Sequence, residues 1–305
     1  MPARTESEIE IEGKRLRVSN LDKVLYPKAG FTKANVIDYY IRIAPVLLPH
    51  LKNRALTLKR YPNGVEGPFF YEKRCPTHRP AWVKTAAVWS EGNNANINFC
   101  LANDLPTLVW AANLADLELH TYLAFGKTPL KPTMIVFDLD PGPPATIVQC
   151  AQVALLLREI FSKSKLACYA KTSGSKGMQL YIPLNTSTTF EKTKPFAHTL
   201  AERLEREHPK LVVSRMSKEL RKGKVFVDWS QNDNSKTTIC VYSLRAKERP
   251  TVSTPLTWDE VAQCASSKDP QRFAFETEDV LKRVEKFGDL FEPVLTQKQK
   301  LPKTI

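Results

Sequence analysis

The amino-acid sequence predicts a mixed α+β protein, in which helices and strands are interspersed without regular alternation. Residues 146–161 and 190–207 repeat apolar side chains at the period of a helix, the second segment despite Pro195. Residues 134–138 and 178–184 are short apolar runs of the kind that form buried strands. Hydrophobic residues make up 42% of the 305 positions, which is enough to build a sizeable core.

The N-terminal segment begins with polar residues 1–8, which we expect to form a mobile tail. Residues 9–18 alternate around Gly13 and predict a short hairpin. Thr32 is a favourable cap for a following helix, and Pro45 should kink or shorten that helix.

The sequence predicts one large domain over residues 9–292, made of two modules with a boundary near residue 130. A basic tail follows over residues 293–305. The elements expected after the first helix are a strand at 55–61, a long loop at 62–80, a helix at 105–120, a strand at 134–138, a helix at 146–161, strands at 167–171 and 178–184, a helix at 190–207, strands at 224–229 and 238–242, and two short helices.

The charge of the chain points to a polyanionic partner. Lys and Arg total 45 against 32 Asp and Glu, a formal net charge of +13. We expect no membrane association, because no stretch of 18 apolar residues occurs and the N-terminal residues lack the apolar centre of a secretory signal.

The six cysteines are scattered and none is spaced as Cys-x-x-Cys, so we expect neither a disulfide framework nor a zinc site. Cys75 and His78 could supply half of a zinc site, but no second half is visible. Reduced thiols and a cytoplasmic location fit this pattern best.

Three aspartates carry the strongest chemical signal. Asp138 and Asp140 are two residues apart on a predicted strand, so their carboxylates should point to the same face. Asp228 is embedded in a second apolar strand, where a charge is unfavourable unless it is paired or bound to a metal. Such oxygen ligands suit Mg²⁺ or Mn²⁺, and three of them could hold two ions. The alternative is a pair of ordinary edge acids and a core salt bridge.

A Gly-Ser loop at residues 171–177 lies between two predicted strands. Its small residues would let backbone N–H groups approach phosphate oxygens, and Lys176 would add a positive charge. The loop is not a Walker A loop, and a plain flexible loop remains the alternative. Arg221 and Arg245 lie near the predicted strands and could neutralise a triphosphate or simply be solvated.

Taken in order, seven motifs resemble the polymerase domain of bacterial ligase D, a member of the primase-polymerase superfamily. They cover most of the chain between residues 10 and 290. The motifs are 20–27 (NLDKVLYP), 69–73 (FFYEK), 117–120 (LELH), 137–142 (FDLDPG), 172–177 (TSGSKG), 227–228 (VD) and 242–256 (YSLRAKERPTVSTPL).

The resemblance implies a primase-polymerase core of two packed α/β modules with a central cleft. It implies a DNA-dependent nucleotidyltransferase that adds nucleotides, preferably ribonucleotides, to 3′ ends at DNA breaks and short gaps. A nucleoside triphosphate is then the substrate, and two Mn²⁺ or Mg²⁺ ions are the cofactors. Implied partners are DNA ends with a 5′-phosphate, a DNA ligase and Ku, and the implied setting is non-homologous end joining or gap repair at the bacterial nucleoid.

The resemblance also implies roles for individual residues. The catalytic metal ligands are Asp138, Asp140 and Asp228. The nucleotide-binding residues are His120, Ser173, Ser175, Lys176, Arg221, Arg245, Lys59 and Gln179. The residues that bind the downstream 5′-phosphate are Asn20, Lys23 and Lys33, and those that stack on the template are Phe69 and Phe70. The chain departs from the family at Gln179, where many members carry His, and Gln cannot carry a positive charge.

Two other functions compete with this one. In an Asp-x-Asp phosphatase of the haloacid dehalogenase type, Thr or Val stands two positions after the second Asp, whereas this chain has Gly142. A non-catalytic DNA-end binder would keep the charge and the aromatics, but the intact aspartate trio argues against it. No Lys-x-Asp-Gly ligase motif occurs in the 305 residues, so strand joining would need another domain or protein.

Overall fold

The structure, a computed structural model, describes residues 6–302 and confirms the α+β class. The strands are β1 (Glu6–Ile11), β2 (Lys14–Ser19), β3 (Val24–Tyr26), β4 (Phe31–Thr32), β5 (Arg54–Arg60), β6 (Phe70–Glu72), β7 (Thr85–Ser90), β8 (Ala95–Cys100), β9 (Asp116–Phe125), β10 (Met134–Pro141), β11 (Tyr169–Thr172), β12 (Met178–Pro183), β13 (Val212–Val213), β14 (Val225–Asp228), β15 (Thr238–Ile239) and β16 (Pro255–Leu256). The helices are α1 (Lys33–Leu51), α2 (Leu105–Asn113), α3 (Ile147–Lys163), α4 (Phe190–Glu207), α5 (Trp258–Ala265), α6 (Thr277–Phe287) and α7 (Pro293–Thr296).

Two six-stranded sheets organise the described part of the chain. The first sheet has the order β15–β9–β5–β8–β7, with β6 also paired to β5, and the second has the order β13–β14–β10–β12–β11–β16. The chain moves from the first sheet to the second between β9 and β10, but it returns to the first sheet for β15.

Each sheet has its own hydrophobic core. The first core gathers side chains of α1, α2 and β9, including Tyr39 and Tyr40, both buried. The second core gathers β10, β12 and α3, with Phe137 against Phe161. Burial of one such large side chain contributes about 1.5–3 kcal/mol relative to leaving it exposed.

The N-terminal predictions are largely confirmed. β1 and β2 form the expected hairpin around Gly13, and the Thr32 side chain caps α1 by accepting from the Asn35 N–H at 3.3 Å. α1 nevertheless includes Pro45 and is 19 residues long, so the prediction that this proline shortens the helix is wrong. Among residues 6–302, no helix is long and apolar enough to cross a membrane.

The helix expected at 105–120 is wrong in its second half. α2 ends at Asn113, Ala115 adopts a left-handed φ of 57°, and β9 begins at Asp116. Leu117 and Leu119 alternate with polar residues, which is the period of a strand. The other differences are smaller: β6 lies inside the loop expected at 62–80, and β15 covers only two of the five residues expected at 238–242.

The described parts of both predicted tails pack against the fold. Residues 1–5 and 303–305 lie outside the described residues, but Glu6 already pairs with Ser19 in β1. At the other end, the Gln299 side chain accepts from Ala167 N at 2.7 Å and donates to Pro183 O at 2.8 Å. The C-terminal segment is therefore packed against the second sheet up to this point.

The cysteine prediction needs one correction. Cys75 and Cys100, which are 25 residues apart, form a disulfide that joins the loop after β6 to the end of β8. Both are buried, and Cys75 N donates to Asn98 O at 2.7 Å. Cys75 is therefore unavailable as a zinc ligand, and the other four cysteines are free and buried.

Residues 239–244 connect the two halves of the described chain. The Tyr39 hydroxyl donates to Tyr242 O at 2.8 Å, and Leu119 N donates to the Ser243 hydroxyl at 2.8 Å. Leu244 N donates to the Tyr40 hydroxyl at 3.2 Å. A late segment of the sequence thus completes the core of the first sheet.

Candidate active site

The structure brings the three predicted aspartates together at one end of the second sheet. Asp138 in β10 and Asp228 in β14 are direct partners in the antiparallel register. Asp140 follows two residues later in β10 and therefore shares the face of Asp138. Strand pairing, rather than proximity in sequence, creates this cluster.

The carboxylates repel one another. Burial, together with the charges of Asp140 and Asp228, raises the pKa of Asp138 to about 7. The pKa of Asp140 is also raised, by burial and by Asp228. A hydrogen bond from the Gln179 side chain opposes the shift at Asp138. A bound divalent cation would remove this repulsion, so the donor set fits Mg²⁺ or Mn²⁺.

The Asp228 carboxylate is engaged by its own loop. One oxygen accepts from Ser230 N at 2.9 Å and from the Ser230 hydroxyl at 2.6 Å, and the other accepts from the Gln231 amide at 2.8 Å. Within residues 6–302, no group of three or more His, Cys, Asp or Glu side chains is positioned to hold a metal ion. Metal binding by the trio therefore stays a prediction, and the hydrogen bonds from Ser230 and Gln231 would orient the Asp228 carboxylate as a ligand.

A cavity of about 1080 Å³ opens over Asp138 and Asp140. Most of the residues predicted to bind the nucleotide line it, whereas Asp228 and Lys59 stand just outside. The predicted lining residues that the structure places here are His120, Ser173, Ser175, Lys176, Gln179, Arg221 and Arg245.

The Gly-Ser loop after β11 is held in a fixed shape. The Ser173 hydroxyl accepts from Ser175 N and from Gly177 N, both at 3.2 Å. Gly174 has φ of 67°, and a Cβ there would lie 2.6 Å from the Val252 carbonyl carbon, so only glycine fits. Arg245 Nη1 donates to Ser173 O at 2.6 Å, which fixes the loop against the cationic side of the cavity.

Arg221 reaches the cavity from a loop packed on the Asp-x-Asp strand. Its guanidinium stacks 3.8 Å from the centre of the Phe226 ring and donates to Met216 O at 2.7 Å. A Cβ at Gly142 would lie 1.9 Å from Arg221 O, so the glycine is required for this close approach. The Gly142 that distinguishes this chain from the phosphatase motif thus has a structural reason.

Lys171 was missed by the sequence reasoning. It is fully buried in β11, and burial lowers its pKa to about 7. Its ammonium donates to the Ser253 hydroxyl at 2.6 Å and to Ile239 O at 3.2 Å. Strand register places it in one row across the sheet with Gln179, Asp138 and Asp228. A buried Lys beside an apolar run gives no sequence signal without the register.

Glu118 was also missed as a site residue. It lies in β9, is 1% exposed, and contacts Lys59, His120 and Arg245. The helix predicted over residues 105–120 would place Glu118 and His120 on different faces, whereas the strand places them on one face.

The predicted template aromatics lie beside the cavity and are exposed. Phe69 is 50% and Phe70 is 44% accessible, which is unusual for phenylalanine. Phe69 stacks on Tyr61, and the Lys59 ammonium lies 4.5 Å from the Phe69 ring centre. Tyr71, which the sequence reasoning did not single out, contacts His120 edge-on and lines the cavity.

The three residues predicted to bind a 5′-phosphate meet at the start of α1. Lys33 N donates to Lys23 O at 2.9 Å, and Lys23 N donates to Asn20 O at 3.1 Å. Lys33 is buried and its ammonium donates to Ser19 O at 2.7 Å, whereas Lys23 is exposed and reaches Asn63 at 3.1 Å. This group stands apart from the cavity lining.

Residues 32–291 match the family model of the LigD primase-polymerase domain. The chain belongs to this family. It is therefore a nucleotidyltransferase of the primase-polymerase type.

Two curated relatives of the chain are end-joining proteins named LigD. The multifunctional non-homologous end joining protein LigD of Mycolicibacterium smegmatis is 42% identical over 282 residues, covering 92% of this chain and 36% of the relative. The bifunctional LigD of Bacillus subtilis is 35% identical, covering 90% of this chain and 43% of the relative. The chain thus spans less than half the length of these curated relatives.

A solved structure shares the fold. The polymerase domain of Mycobacterium tuberculosis ligase D in complex with DNA has a TM-score of 0.85 and 38% identity, covering 93% of this chain and 99% of that one. The primase-polymerase core expected from the motifs is confirmed by this match.

Proposed function

We propose that this LigD polymerase domain adds nucleotides, preferably ribonucleotides, to 3′ ends at DNA breaks and short gaps in bacterial DNA. One observation carries the proposal: Asp138 and Asp228 are register partners, with Asp140 beside them, at the edge of a cavity that also carries the Gly-Ser loop. Acids and a phosphate-binding loop on the same cavity are what phosphoryl transfer to a hydroxyl requires.

Divalent ions complete the chemistry. We propose that Asp138, Asp140 and Asp228 hold two Mn²⁺ or Mg²⁺ ions, which would lower the pKa of the primer 3′-hydroxyl and offset charge on the leaving pyrophosphate. The chain's own residues bind and orient the triphosphate. Ser173 and Lys176 lie in the Gly-Ser loop, and Arg245 connects that loop to the first sheet.

The residues predicted to contact DNA lie outside the cavity lining. Phe69 and Phe70 are proposed to stack on template bases, which is worth about 1–3 kcal/mol per base. Asn20, Lys23 and Lys33 are proposed to bind the 5′-phosphate of the downstream strand, a doubly charged group that marks an end. We further propose that a ligase and Ku act with this domain, a partnership that the family resemblance implies and that fits relatives named as non-homologous end joining proteins.

The test is extension of a labelled primer on a gapped template with Mn²⁺ and ribonucleotides. Asp138→Ala and Asp228→Asn should slow extension about a thousandfold, which is ~4 kcal/mol of barrier. Ser230→Ala removes a contact of Asp228 but no carboxylate, so it should slow extension roughly fivefold at most.

Three outcomes would contradict the proposal. Equal extension by Asp138→Ala and the parent would remove the aspartates from the chemistry. Equal losses in Asp228→Asn and Ser230→Ala would make Asp228 an organiser of its loop only. A parent that binds DNA ends without extension, or that releases phosphate from small esters, would support the end binder or the phosphatase.

A further inference from the structure

One buried acid, Glu118, contacts three basic side chains in or beside the cavity lining. Glu118 Oε2 lies 3.0 Å from His120 Nε2 and 3.2 Å from Lys59 Nζ. Its Oε1 accepts from Ala246 N at 3.0 Å and lies 3.3 Å from Arg245 Nε, an ion pair whose geometry is not that of a hydrogen bond. A buried carboxylate with this many donors is fixed in place.

Glu118 is ionised in this setting. Burial acts to raise its pKa, but the hydrogen bond with His120 and the charges of Arg245 and Lys59 outweigh burial and hold the pKa well below its usual range. A permanent carboxylate only accepts hydrogen bonds, so His120 Nε2 must carry a hydrogen and Nδ1 is the remaining ring nitrogen. Glu118 thereby selects one tautomer of His120.

The same carboxylate sets the position of Arg245. The guanidinium pairs with Glu118 through Nε and donates through Nη1 to Ser173 O at 2.6 Å. Lys59 is held in the same way and lies above the Phe69 ring. One residue that does not line the cavity therefore orients groups on both the nucleotide side and the template side.

We infer that Glu118 is a positioning residue for nucleotide transfer, which fixes the tautomer of His120 and the orientation of Arg245. The inference rests on the proposed function. Two effects of losing the charge oppose each other in nucleotide binding. Orientation is lost, but the cations near the triphosphate gain an unopposed positive charge, which favours an anionic ligand. Catalysis has no such compensation, because misorientation of binding groups lowers the rate directly.

A matched control lies on the same strand. Asp116 is two residues earlier on the same face and is likewise buried, but its carboxylate accepts from Lys59 N at 2.7 Å rather than from the cavity side chains. Burial raises its pKa well above the usual range, so Asp116→Asn changes little charge.

The kinetic experiment compares Glu118→Gln with Asp116→Asn in the primer extension assay. Glu118→Gln should lower kcat about tenfold or more while the KM for the ribonucleotide rises less than about threefold. Asp116→Asn should keep kcat within about threefold. Melting temperature and affinity for a 5′-phosphorylated DNA end report whether each variant is folded. Unchanged kcat in Glu118→Gln, or a rise in KM alone, would overturn the inference.

A second readout does not depend on activity, so it separates failure of this inference from failure of the proposed function. Nitrogen-15 NMR of labelled histidine, assigned with His120→Asn, should show the Nε2–H tautomer of His120 in the parent. Glu118→Gln should give a tautomer mixture, whereas Asp116→Asn should keep the parent signal. An unchanged His120 tautomer in Glu118→Gln would contradict the inference, even if the parent proved inactive.

Discussion

Glu118 and Lys171, which contact residues of the cavity lining, are buried and make several polar contacts, whereas Lys23, Phe69 and Phe70 of the predicted DNA-binding surface are exposed. Glu118 and Lys171 are 1% and 0% exposed, and each makes at least two polar contacts. Lys23 is exposed and makes one side-chain hydrogen bond, to Asn63. Phe69 and Phe70 also face solvent. Lys33 is the exception on the outer surface, because it is buried.

This difference indicates two kinds of energetics. In the buried region, interactions between charges are strong and an unbalanced charge is costly, so substitutions should alter chemistry or pH dependence. On the exposed surface, water and salt screen each contact, so substitutions should alter DNA affinity by small, separable amounts. Three predictions test this contrast.

The largest effect is expected at the aromatic surface. Phe69→Ala should weaken binding of a gapped template about tenfold, because one base loses its stacking partner. The KM for the ribonucleotide should stay within about twofold. Fluorescence anisotropy of labelled template measures the first quantity and steady-state extension the second.

Phe287→Ala is the control, since Phe287 is 41% exposed and flanked by Arg283 and Lys286 but lies far along the chain in α6. If both variants bind template equally well, Phe69 is a surface residue without a role in DNA binding.

A smaller effect is expected at the N-terminal edge. Lys23→Ala should reduce the preference for a 5′-phosphorylated over a 5′-hydroxyl downstream strand about fivefold, and should make affinity less dependent on salt. Lys28→Ala is the matched control, because Lys28 is nearby and exposed but pairs with Glu248 at 2.7 Å. Competition binding at two salt concentrations gives both quantities. If both variants lost this preference equally, Lys23 would contribute only general positive charge and would not recognise the 5′-phosphate.

The smallest effect is on stability and concerns Asp138. An acid whose pKa is higher in the folded than in the unfolded protein stabilises the fold at pH values below its unfolded-state pKa. It loses that contribution as the pH rises through its folded-state pKa. For Asp138 this window runs from the usual value of 3.8 to about 7. Without metal, Asp138→Asn should therefore melt about 3 °C above the parent at pH 8 and equally at pH 4.

Mn²⁺ at pH 8 should raise the melting temperature of the parent and not that of Asp138→Asn. Asp38→Asn, an exposed change in α1, should follow the parent in every condition. A metal-free Asp138→Asn that melts below the parent at pH 8 would mean that Gln179 and Lys171 already stabilise the carboxylate.

Local sequence patterns predicted the elements correctly where the buried apolar residues recur at the period of the element that forms. The run ending at Asp138 has the apolar strand pattern, and β10 forms there. The helix expected through His120 failed because Ala115 turns the chain and β9 uses period two. Pro45 is tolerated inside α1, whose apolar face is buried in the first core. Tertiary packing overrode the local preference in that helix.

The site could be predicted only in part for a similar reason. The shared face of Asp138 and Asp140 follows from two-residue spacing, but the partnership with Asp228 depends on which strands pair. Glu118 and Lys171 are defined by neighbours distant in sequence, such as Arg245 and Ser253. The Cys75–Cys100 disulfide likewise depends on the approach of the loop after β6 to the end of β8. Long-range pairing is the information that a single sequence lacks.

The return of β15 to the first sheet has a practical consequence for fragment studies. An N-terminal fragment that ends near residue 130 would lack the Tyr242 carbonyl and the Ser243 hydroxyl, to which the Tyr39 hydroxyl and Leu119 N donate. The N-terminal half therefore does not contain all the groups that complete the core of the first sheet. We therefore expect separately expressed halves to aggregate alone and to regain solubility only when they are produced together.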